Sequence, residues 1–158
     1  MPGCRPAIDT GLPYCEPVSF EPDDTAAFAA FVRAHGRGVV ATASVSGAPE
    51  AALVGIAALD DGTLIFDTYA DSRKAANLRH DERVAIVVGT DADVSVQIEG
   101  TATITVGEER EQRGAAYNAQ FPGARALDPD FAVVVVRPEW VRVYDASAQP
   151  AVVTEARW

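Results

Sequence analysis

The order of hydrophobic and polar positions predicts a chain built mostly from β-strands. Over Val94–Val106, the apolar residues Val94, Val96 and Ile98 alternate with polar ones, a period of two that is typical of a strand with one buried face. The segment Glu50–Leu59 is nearly all small and apolar, so we expect a strand that is buried on both faces. Further apolar segments bounded by turn residues cover 39–45, 63–68, 83–89, 131–137 and 140–144.

Helical spacing and helix-end signals predict helices between these strands. The first helix follows Pro22–Asp24, has Phe28, Phe31 and Val32 on one face, and ends at Gly36. The acidic residues before it suit the positive end of the helix dipole. The other predicted helices cover 69–80 and 107–120.

Short turns between the strands, such as Asp61–Gly62, predict antiparallel pairing. An open sheet of six or seven such strands would expose its edges, and closure removes them, which favours a closed or split barrel with peripheral helices. We place this domain at residues 22–146. Residues 1–21, rich in Pro, are expected to form an irregular or disordered arm, and residues 147–158 a tail without a clear pattern.

Length, composition and charge narrow the class of protein. The chain has 158 residues, enough for one domain, and its 48% hydrophobic and 23% charged residues are typical of a globular protein. A net charge of −10 argues against nucleic acid and anionic membranes as main partners. The longest apolar segment, Ala51–Leu59, is too short to span a bilayer, and the N-terminal residues have no continuous apolar region that would indicate a signal peptide. We therefore expect a cytoplasmic protein.

The scarcity of histidine and cysteine excludes several kinds of site. Cys4 and Cys15 are the only cysteines, and both lie in the N-terminal arm, where they are free to be disordered or to tie the arm down. His35 and His80 are isolated, and no pair has the spacing of metal ligands, so we expect no metal site. Zinc hydrolases and most Cys–His or Ser–His–Asp enzymes are excluded in the same way.

One short segment has charges that a helix by itself does not favour. The cations Arg73 and Lys74 follow Ser72 at the start of the second predicted helix, where the dipole favours acids. A bound phosphate would remove this conflict, because it accepts hydrogen bonds from the free helix N–H groups and from Ser72 and pairs with both cations. The alternative is that Asp71 caps the helix while both cations extend into water.

Neighbouring residues favour the phosphate interpretation. Asp67 and Thr68 end the preceding strand and could lie beside the same phosphate. Asn77 lies one helical turn beyond Arg73 and Lys74 and could face the same site, although a surface or capping amide is an equal alternative.

These residues resemble the signature of the pyridoxamine 5'-phosphate oxidase-like, FMN-binding split-barrel family. The likeness runs from about Phe28 to Tyr144. The segments that carry it are Phe66-Asp67-Thr68, Ser72-Arg73-Lys74-Ala75, Asn77-Leu78-Arg79, Asp81 to Ala85, Ser46 to Pro49, Ile98-Glu99-Gly100, and Arg137 to Arg142.

The resemblance implies a mainly β fold with peripheral helices, a six-stranded antiparallel split β-barrel, as a homodimer with two FMN molecules at the dimer interface. By position, the FMN phosphate would be held by Thr68, Ser72, Arg73 and Lys74. The backbone under the isoalloxazine would be that of Leu53, Val54, Gly55 and Ile56, where glycine allows a flat ring to approach closely.

Two further pairs of residues are candidates for flavin contacts. Ser95 and Gln97 point to one face of the fifth predicted strand and could reach flavin heteroatoms, although Gln97 is equally well explained as a surface amide. Trp140 and Arg142 could close over the cofactor from the partner subunit, although Trp140 is equally suited to the core.

The chain departs from the family's pattern where true pyridoxamine 5'-phosphate oxidases present charge. Ala52 and Ala57 occupy the strand positions of an Arg and a Lys that bind the FMN phosphate and the substrate. In the family's substrate-binding helix Tyr117 matches, but Phe121 replaces an Arg and Arg125 replaces a Ser. Tyr117 and Arg125 are therefore only weak candidates for substrate contacts.

The closing Arg-x-His of the family is Arg142-Val143-Tyr144 in this chain. Losing several charge-assisted contacts of about 1.5–3 kcal/mol each would prevent recognition of a phosphorylated vitamer. A vitamin B6 phosphate is thus not the expected substrate.

The resemblance therefore implies an FMN-binding flavoprotein, an oxidoreductase of an unknown small-molecule substrate in which no side chain is an obvious acid or base. One alternative keeps the fold and replaces FMN by a deazaflavin coenzyme or haem. Another is a flavin-binding module without catalytic activity. Flavin reduction by a nicotinamide donor would separate the enzyme from the module.

Overall fold

The structure is a computed structural model that describes residues 19–90 and 92–158, together with the backbone of two short N-terminal strands. These strands, β1 (Cys4–Pro6) and β2 (Cys15–Pro17), pair antiparallel with Pro6 opposite Cys15. The side chains of Cys4 and Cys15 and the rest of the expected arm up to residue 18 lie outside the described residues.

Up to residue 145, the remaining elements follow the predicted order of strands and helices. They are α1 (Thr25–His35), β3 (Arg37–Ala43), β4 (Pro49–Gly55), β5 (Ala57–Ala58), β6 (Leu64–Tyr69), α2 (Arg73–His80), β7 (Arg83–Val88), β8 (Val94–Ile104), α3 (Gly107–Gln120), β9 (Phe131–Asp145) and β10 (Val152–Arg157).

The strands from β3 to β10 form one antiparallel sheet with the order β4-β3-β7-β8-β9-β6-β5, and β10 pairs with β9. The sheet curls into a split barrel with the helices at its periphery, as predicted. It has eight strands rather than the expected six, because the two-residue β5 and the C-terminal β10 also join it.

The core lies inside the curled sheet and beneath α1. The α1 side chains Phe28 and Val32 are completely buried and join the core residues of the strands. Asp24 caps the helix by accepting a hydrogen bond from the Ala27 N–H at 2.9 Å, and Gly36 ends it with a φ of 65°, a left-handed conformation that glycine adopts without strain.

The expectation that Glu50–Leu59 is one strand buried on both faces is wrong. The segment is divided into β4 and β5, and Leu53 on β4 is 60% exposed. The physical reason is that Leu53 points to the outer face of the sheet, which no helix or strand in the described part of the chain covers at this position.

The two strands expected at 131–137 and 140–144 are one strand, β9. Pro138 does not interrupt it, because the register with β8 shifts between Glu99 and Gly100, opposite this proline. A bulge accommodates a residue that has no N–H to donate.

The C-terminal residues, for which the sequence showed no pattern, are tied to the domain. Strand β10 pairs with the second half of β9. The Trp158 ring then packs edge-on against Phe28, with 4.9 Å between ring centroids, and its Nε1 donates to the Pro22 carbonyl at 2.9 Å. No helix in the described part of the chain is long and apolar enough to cross a membrane.

Candidate functional site

Polar side chains converge at the start of α2. Ser72 is the N-cap, and its Oγ accepts a hydrogen bond from the Ala75 N–H at 3.2 Å. The same Oγ lies 3.0 Å from Thr68 Oγ1 at the end of β6, and Lys74 Nζ donates to Thr68 Oγ1 at 3.4 Å. Three of the residues that the sequence assigns to a phosphate therefore surround one point.

A carboxylate lies beside this group. Glu50 on β4 is ion-paired with Arg73, and its other oxygen accepts from Asn77 Nδ2 at 2.9 Å. The buried Asn77 amide also donates to Thr42 Oγ1 at 2.9 Å. The hydrogen bond from Asn77, supported by Arg73, holds the pKa of the Glu50 carboxyl below its ordinary value. Asn77 thus faces the site rather than solvent.

Members of both groups line one cleft of about 270 Å³ between α2 and the strands β3 and β4. Its lining residues are Val40, Thr42, Glu50, Ala51, Ala52, Ser72, Arg73 and Lys74. We call it the α2 cleft.

The donors of the α2 cleft suit a phosphate. Helix geometry leaves the N–H groups of Arg73 and Lys74 without partners inside the helix. Lys74 has no carboxylate partner among the residues that the structure describes, and burial lowers the pKa of its ammonium group. Hydroxyls, free N–H groups and an unpaired cation are the groups with which proteins bind phosphate.

Asp67 is not part of the α2 cleft. Successive side chains of a strand point to opposite faces, so Asp67 points away from Thr68 and towards Tyr117 on α3. Tyr117 is only 5% exposed; burial raises the pKa of its phenol above the usual range, and the Asp67 charge and hydrogen bond add to this. The aspartate therefore belongs to a second polar group.

The end of β4 lies against this second group. A Cβ on Gly55 would come within 2.6 Å of the Tyr117 hydroxyl, so only glycine allows this contact between strand and helix. Along the segment predicted to lie under a flat ring, Leu53 is exposed, Val54 packs against the core and Ile56 is fully buried. Since Ala52 lines the α2 cleft, β4 connects the cleft to the Tyr117 group.

The remaining flavin candidates lie on a different surface. Sheet register places Leu53, Val39, Val87, Gln97 and Arg142 side by side across β4, β3, β7, β8 and β9. Their strand neighbours point into the core, so this row belongs to the outer face of the sheet. Arg142 Nη1 donates to Gln97 Oε1 at 3.4 Å.

Ser95 and Trp140 lie on the same outer face, in the neighbouring rows. Trp140 is half-buried and is not part of the core. The α2 cleft, by contrast, is lined by the buried side of β3 through Val40 and Thr42. Within one chain, the candidates Ser95, Gln97, Trp140 and Arg142 therefore lie on the opposite face of the sheet from the α2 cleft.

The weak substrate candidates occupy structural positions. Tyr117 packs against Phe121 with 4.8 Å between ring centroids, in a small buried cluster that includes Ala57. Arg125 is ion-paired with Asp128 at 2.6 Å on the surface. Neither brings a cation to the buried cluster at Tyr117.

Sequence reasoning missed Glu50 and Thr42. Glu50 is the only charged residue within the apolar segment 50–59, and this isolation was a usable signal. Thr42 gave no signal, because a threonine on a strand is ordinary until Asn77 is seen to contact it.

Comparison with known proteins agrees with the fold. Residues 24–145 match the sequence model of the family Pyridoxamine 5'-phosphate oxidase. No curated protein matches the chain.

Among solved structures, a haem-binding protein from Mycobacterium smegmatis is 23% identical over 88% of this chain, with a TM-score of 0.70, and this chain spans 60% of its length. A pyridoxamine 5'-phosphate oxidase-related, FMN-binding protein from Nostoc punctiforme is 16% identical, with a TM-score of 0.61 and coverage of 83% of this chain and 92% of that one. An F420 reductase is 22% identical, with a TM-score of 0.58 and coverage of 71% and 93%. At these identities the likeness is one of fold.

Proposed function

The chain belongs to the pyridoxamine 5'-phosphate oxidase family, and from this premise we propose that it is a flavoprotein that binds FMN and acts as an oxidoreductase on a small-molecule substrate. The observation that carries the proposal is the Lys74 ammonium at the start of α2, which lies beside the hydroxyls of Thr68 and Ser72 and has no carboxylate partner in the described part of the chain. A bound anion offsets the unfavourable interaction between cations at a helix N-terminus and the positive end of the helix dipole.

The polar residues in and beside the α2 cleft have distinct proposed roles towards the FMN phosphate. Ser72 and Thr68 donate hydroxyl hydrogen bonds, the start of α2 donates N–H groups, and Lys74 supplies charge. Arg73 is exposed over 83% of its side chain, so its remaining nitrogens are free to reach the same phosphate. Asn77 holds Glu50 and thereby the position of Arg73.

When bound, FMN supplies the electron transfer, and the chain's own residues bind it, orient it and exclude water. The backbone from Leu53 to Ile56 is proposed to lie beside the ring, where the close contact of Gly55 with Tyr117 fixes the strand. We assign no side chain to proton transfer.

The substrate is proposed to differ from a vitamin B6 phosphate. Ala52 lines the α2 cleft without charge, Ala57 is fully buried, and Phe121 packs on Tyr117. A second phosphate would find none of the cations that true pyridoxamine 5'-phosphate oxidases use at these positions.

We propose that the protein acts as a homodimer. Ser95, Gln97, Trp140 and Arg142 lie on the outer face, away from the α2 cleft of their own chain. A second copy docked on that face would bring these residues to its partner's cofactor. The exposed Leu53 and its neighbours Val39 and Val87 supply the apolar surface that such an interface needs.

Leu53→Asp tests the dimer. We expect it to convert a dimer to a monomer in analytical ultracentrifugation and to lower flavin affinity, because a charge would be buried in the interface. Val45→Asp is the matched control, since Val45 is also exposed. A dimer that is unaffected by Leu53→Asp would contradict the proposed interface.

An absorption spectrum of the purified protein, with mass spectrometry of the molecule released by heat, tests the cofactor. Flavin bands and released FMN support the proposal. A deazaflavin or a haem Soret band would keep the fold and replace the cofactor, and a protein that binds no added FMN contradicts the proposal. Bound flavin that no nicotinamide donor or substrate reduces would favour a binding module.

The double variant Arg73→Ala/Lys74→Ala tests the site. We expect FMN affinity to fall at least about a hundredfold, because two charge-assisted contacts are lost, while the chain stays folded by circular dichroism. The matched control is Arg79→Ala/His80→Ala, which removes two exposed residues at the other end of the same helix. Full FMN occupancy of the first variant would show that the site lies elsewhere.

A further inference from the structure

The α2 cleft contains its own anion. Glu50 projects from β4 into the cleft, and its carboxylate is held by Asn77 on one side and by Arg73 on the other. The side chain is only 20% exposed, so it is a fixed part of the cleft rather than a mobile surface group. Arg73, although mostly exposed, is thus already paired before any ligand arrives.

The charges around the cleft show what this pairing does. Arg73 and Lys74 supply two positive charges, and Glu50 removes one of them. A phosphate monoester carries a charge of about −1.5 to −2 near neutral pH. The cleft is therefore one cation short of matching it, and Ala52, which also lines the cleft, adds no charge.

From this arrangement we infer that Glu50 limits the anion affinity of the α2 cleft, because its carboxylate competes with the phosphate of the ligand for Arg73. The inference deepens the proposed function and rests on it for the identity of the ligand. Its consequence is that FMN is held as an exchangeable ligand rather than a permanent one, with Lys74 as the main anchor.

The replacement Glu50→Gln isolates the charge. Glutamine keeps a side-chain oxygen that accepts from Asn77, so the hydrogen-bonded chain from Thr42 to position 50 persists while the negative charge is lost. Glu108→Gln is the matched control, because it changes the net charge equally and replaces an exposed residue at the start of α3, which does not line the α2 cleft.

Inorganic phosphate is the probe, and the amide NMR signals of the first turn of α2 are the readout. We expect Glu50→Gln to raise phosphate affinity about tenfold over wild type, because Arg73 is then no longer paired with a carboxylate and is fully available to the phosphate. In an Arg73→Ala background the gain in phosphate affinity should shrink to about twofold or less, because there is no longer an arginine for which Glu50 and the phosphate compete. Glu108→Gln should match wild type.

Two results would overturn the inference. One is a phosphate affinity in Glu50→Gln that equals or falls below that of wild type. The other is phosphate binding to α2 in none of the variants.

Parallel titrations with FMN and riboflavin separate this inference from the proposed function. A Glu50-dependent phosphate affinity in a protein that binds no flavin would refute the function and support the inference. Tight FMN binding would support the function. If Glu50→Gln changed neither the FMN affinity nor the phosphate affinity, the same experiment would refute the inference. Where both hold, Glu50→Gln should slow FMN dissociation and leave riboflavin affinity unchanged, because riboflavin has no phosphate.

Discussion

The helices α1 and α2 begin with the same kind of cap. Asp24 accepts a hydrogen bond from the Ala27 N–H at 2.9 Å, and Ser72 accepts one from the Ala75 N–H at 3.2 Å. In both helices the cap therefore satisfies the third N–H group in the same way.

The difference lies in the charge of the next two positions. In α1 they are Thr25 and Ala26, behind an acidic cap; in α2 they are Arg73 and Lys74, behind a neutral one. The helix dipole favours the first arrangement and opposes the second. α1 thus follows the preference for acidic residues at a helix N-terminus, and α2 does not. Such a departure indicates that folding alone has not selected the residues at the start of α2.

The largest expected effect is on the buried face of α1. Phe28→Ala should lower the free energy of unfolding by about 3–5 kcal/mol, because a fully buried ring that also supports Trp158 is lost. Urea denaturation measures this, and the FMN affinity of the folded fraction should not change. A change in FMN affinity would mean that α1 is part of the site as well as of the core.

Removal of the two caps sharpens the comparison. Asp24→Ala and Ser72→Ala should each lower the free energy of unfolding by about 1 kcal/mol. Only Ser72→Ala should also weaken FMN binding, by about tenfold, because its hydroxyl is proposed to contact the phosphate. Equal FMN affinities in the two variants would remove the functional distinction between the helices.

Exchange of charge at the second helical position has a smaller effect, of opposite sign in the two helices. Without ligand, Lys74→Ala should raise the free energy of unfolding by about 0.3–1 kcal/mol, and Ala26→Lys should lower it by a similar amount, since a cation there opposes the dipole. Thermal unfolding at low salt measures both. If Lys74→Ala is destabilising, Lys74 serves folding rather than a ligand.

The smallest expected effect on stability comes from the C-terminal ends of α1 and α2. Gly36 ends α1, whereas Asp81 ends α2 and accepts hydrogen bonds from Arg83, which lower the pKa of the Asp81 carboxyl from 3.8 to about 2. The stability that this pair adds is present above about pH 4 and is lost as the pH falls through the folded-state pKa of about 2. Carboxyl carbon NMR should find the low pKa in wild type and a value nearer 3.8 in Arg83→Gln; no difference would exclude Arg83 as the cause.

The fold was largely predictable because its signals are local. Alternation along β8, the helical spacing of Phe28, Phe31 and Val32, and the glycine at position 36 each specify an element within a few residues. The exposure of Leu53 on β4 was not predictable in this way, because it depends on whether another element covers that face of the sheet. The joining of β9 through Pro138 depends on its register with a different strand, β8, which shifts opposite this proline.

The candidate site divides in the same manner. Charges that oppose a helix dipole can be read from the sequence, so Ser72, Arg73 and Lys74 could be predicted together. Asp67 was assigned to their group by its proximity along the chain, but strand alternation turns it towards Tyr117. Glu50 enters the α2 cleft from 23 residues away along the chain, a contact that no local pattern contains.

The sequence by itself determined the types of most elements, the acidic start of α1 and the cations at the start of α2, since each follows from spacing and chemistry within one turn or strand. Only the tertiary structure decided that Glu50 is ion-paired with Arg73, that Asn77 is buried between Glu50 and Thr42, and that Trp158 packs against Phe28. These contacts join residues far apart along the chain, and the free energy of forming them depends on how the sheet curls, which side-chain patterns in one segment do not encode.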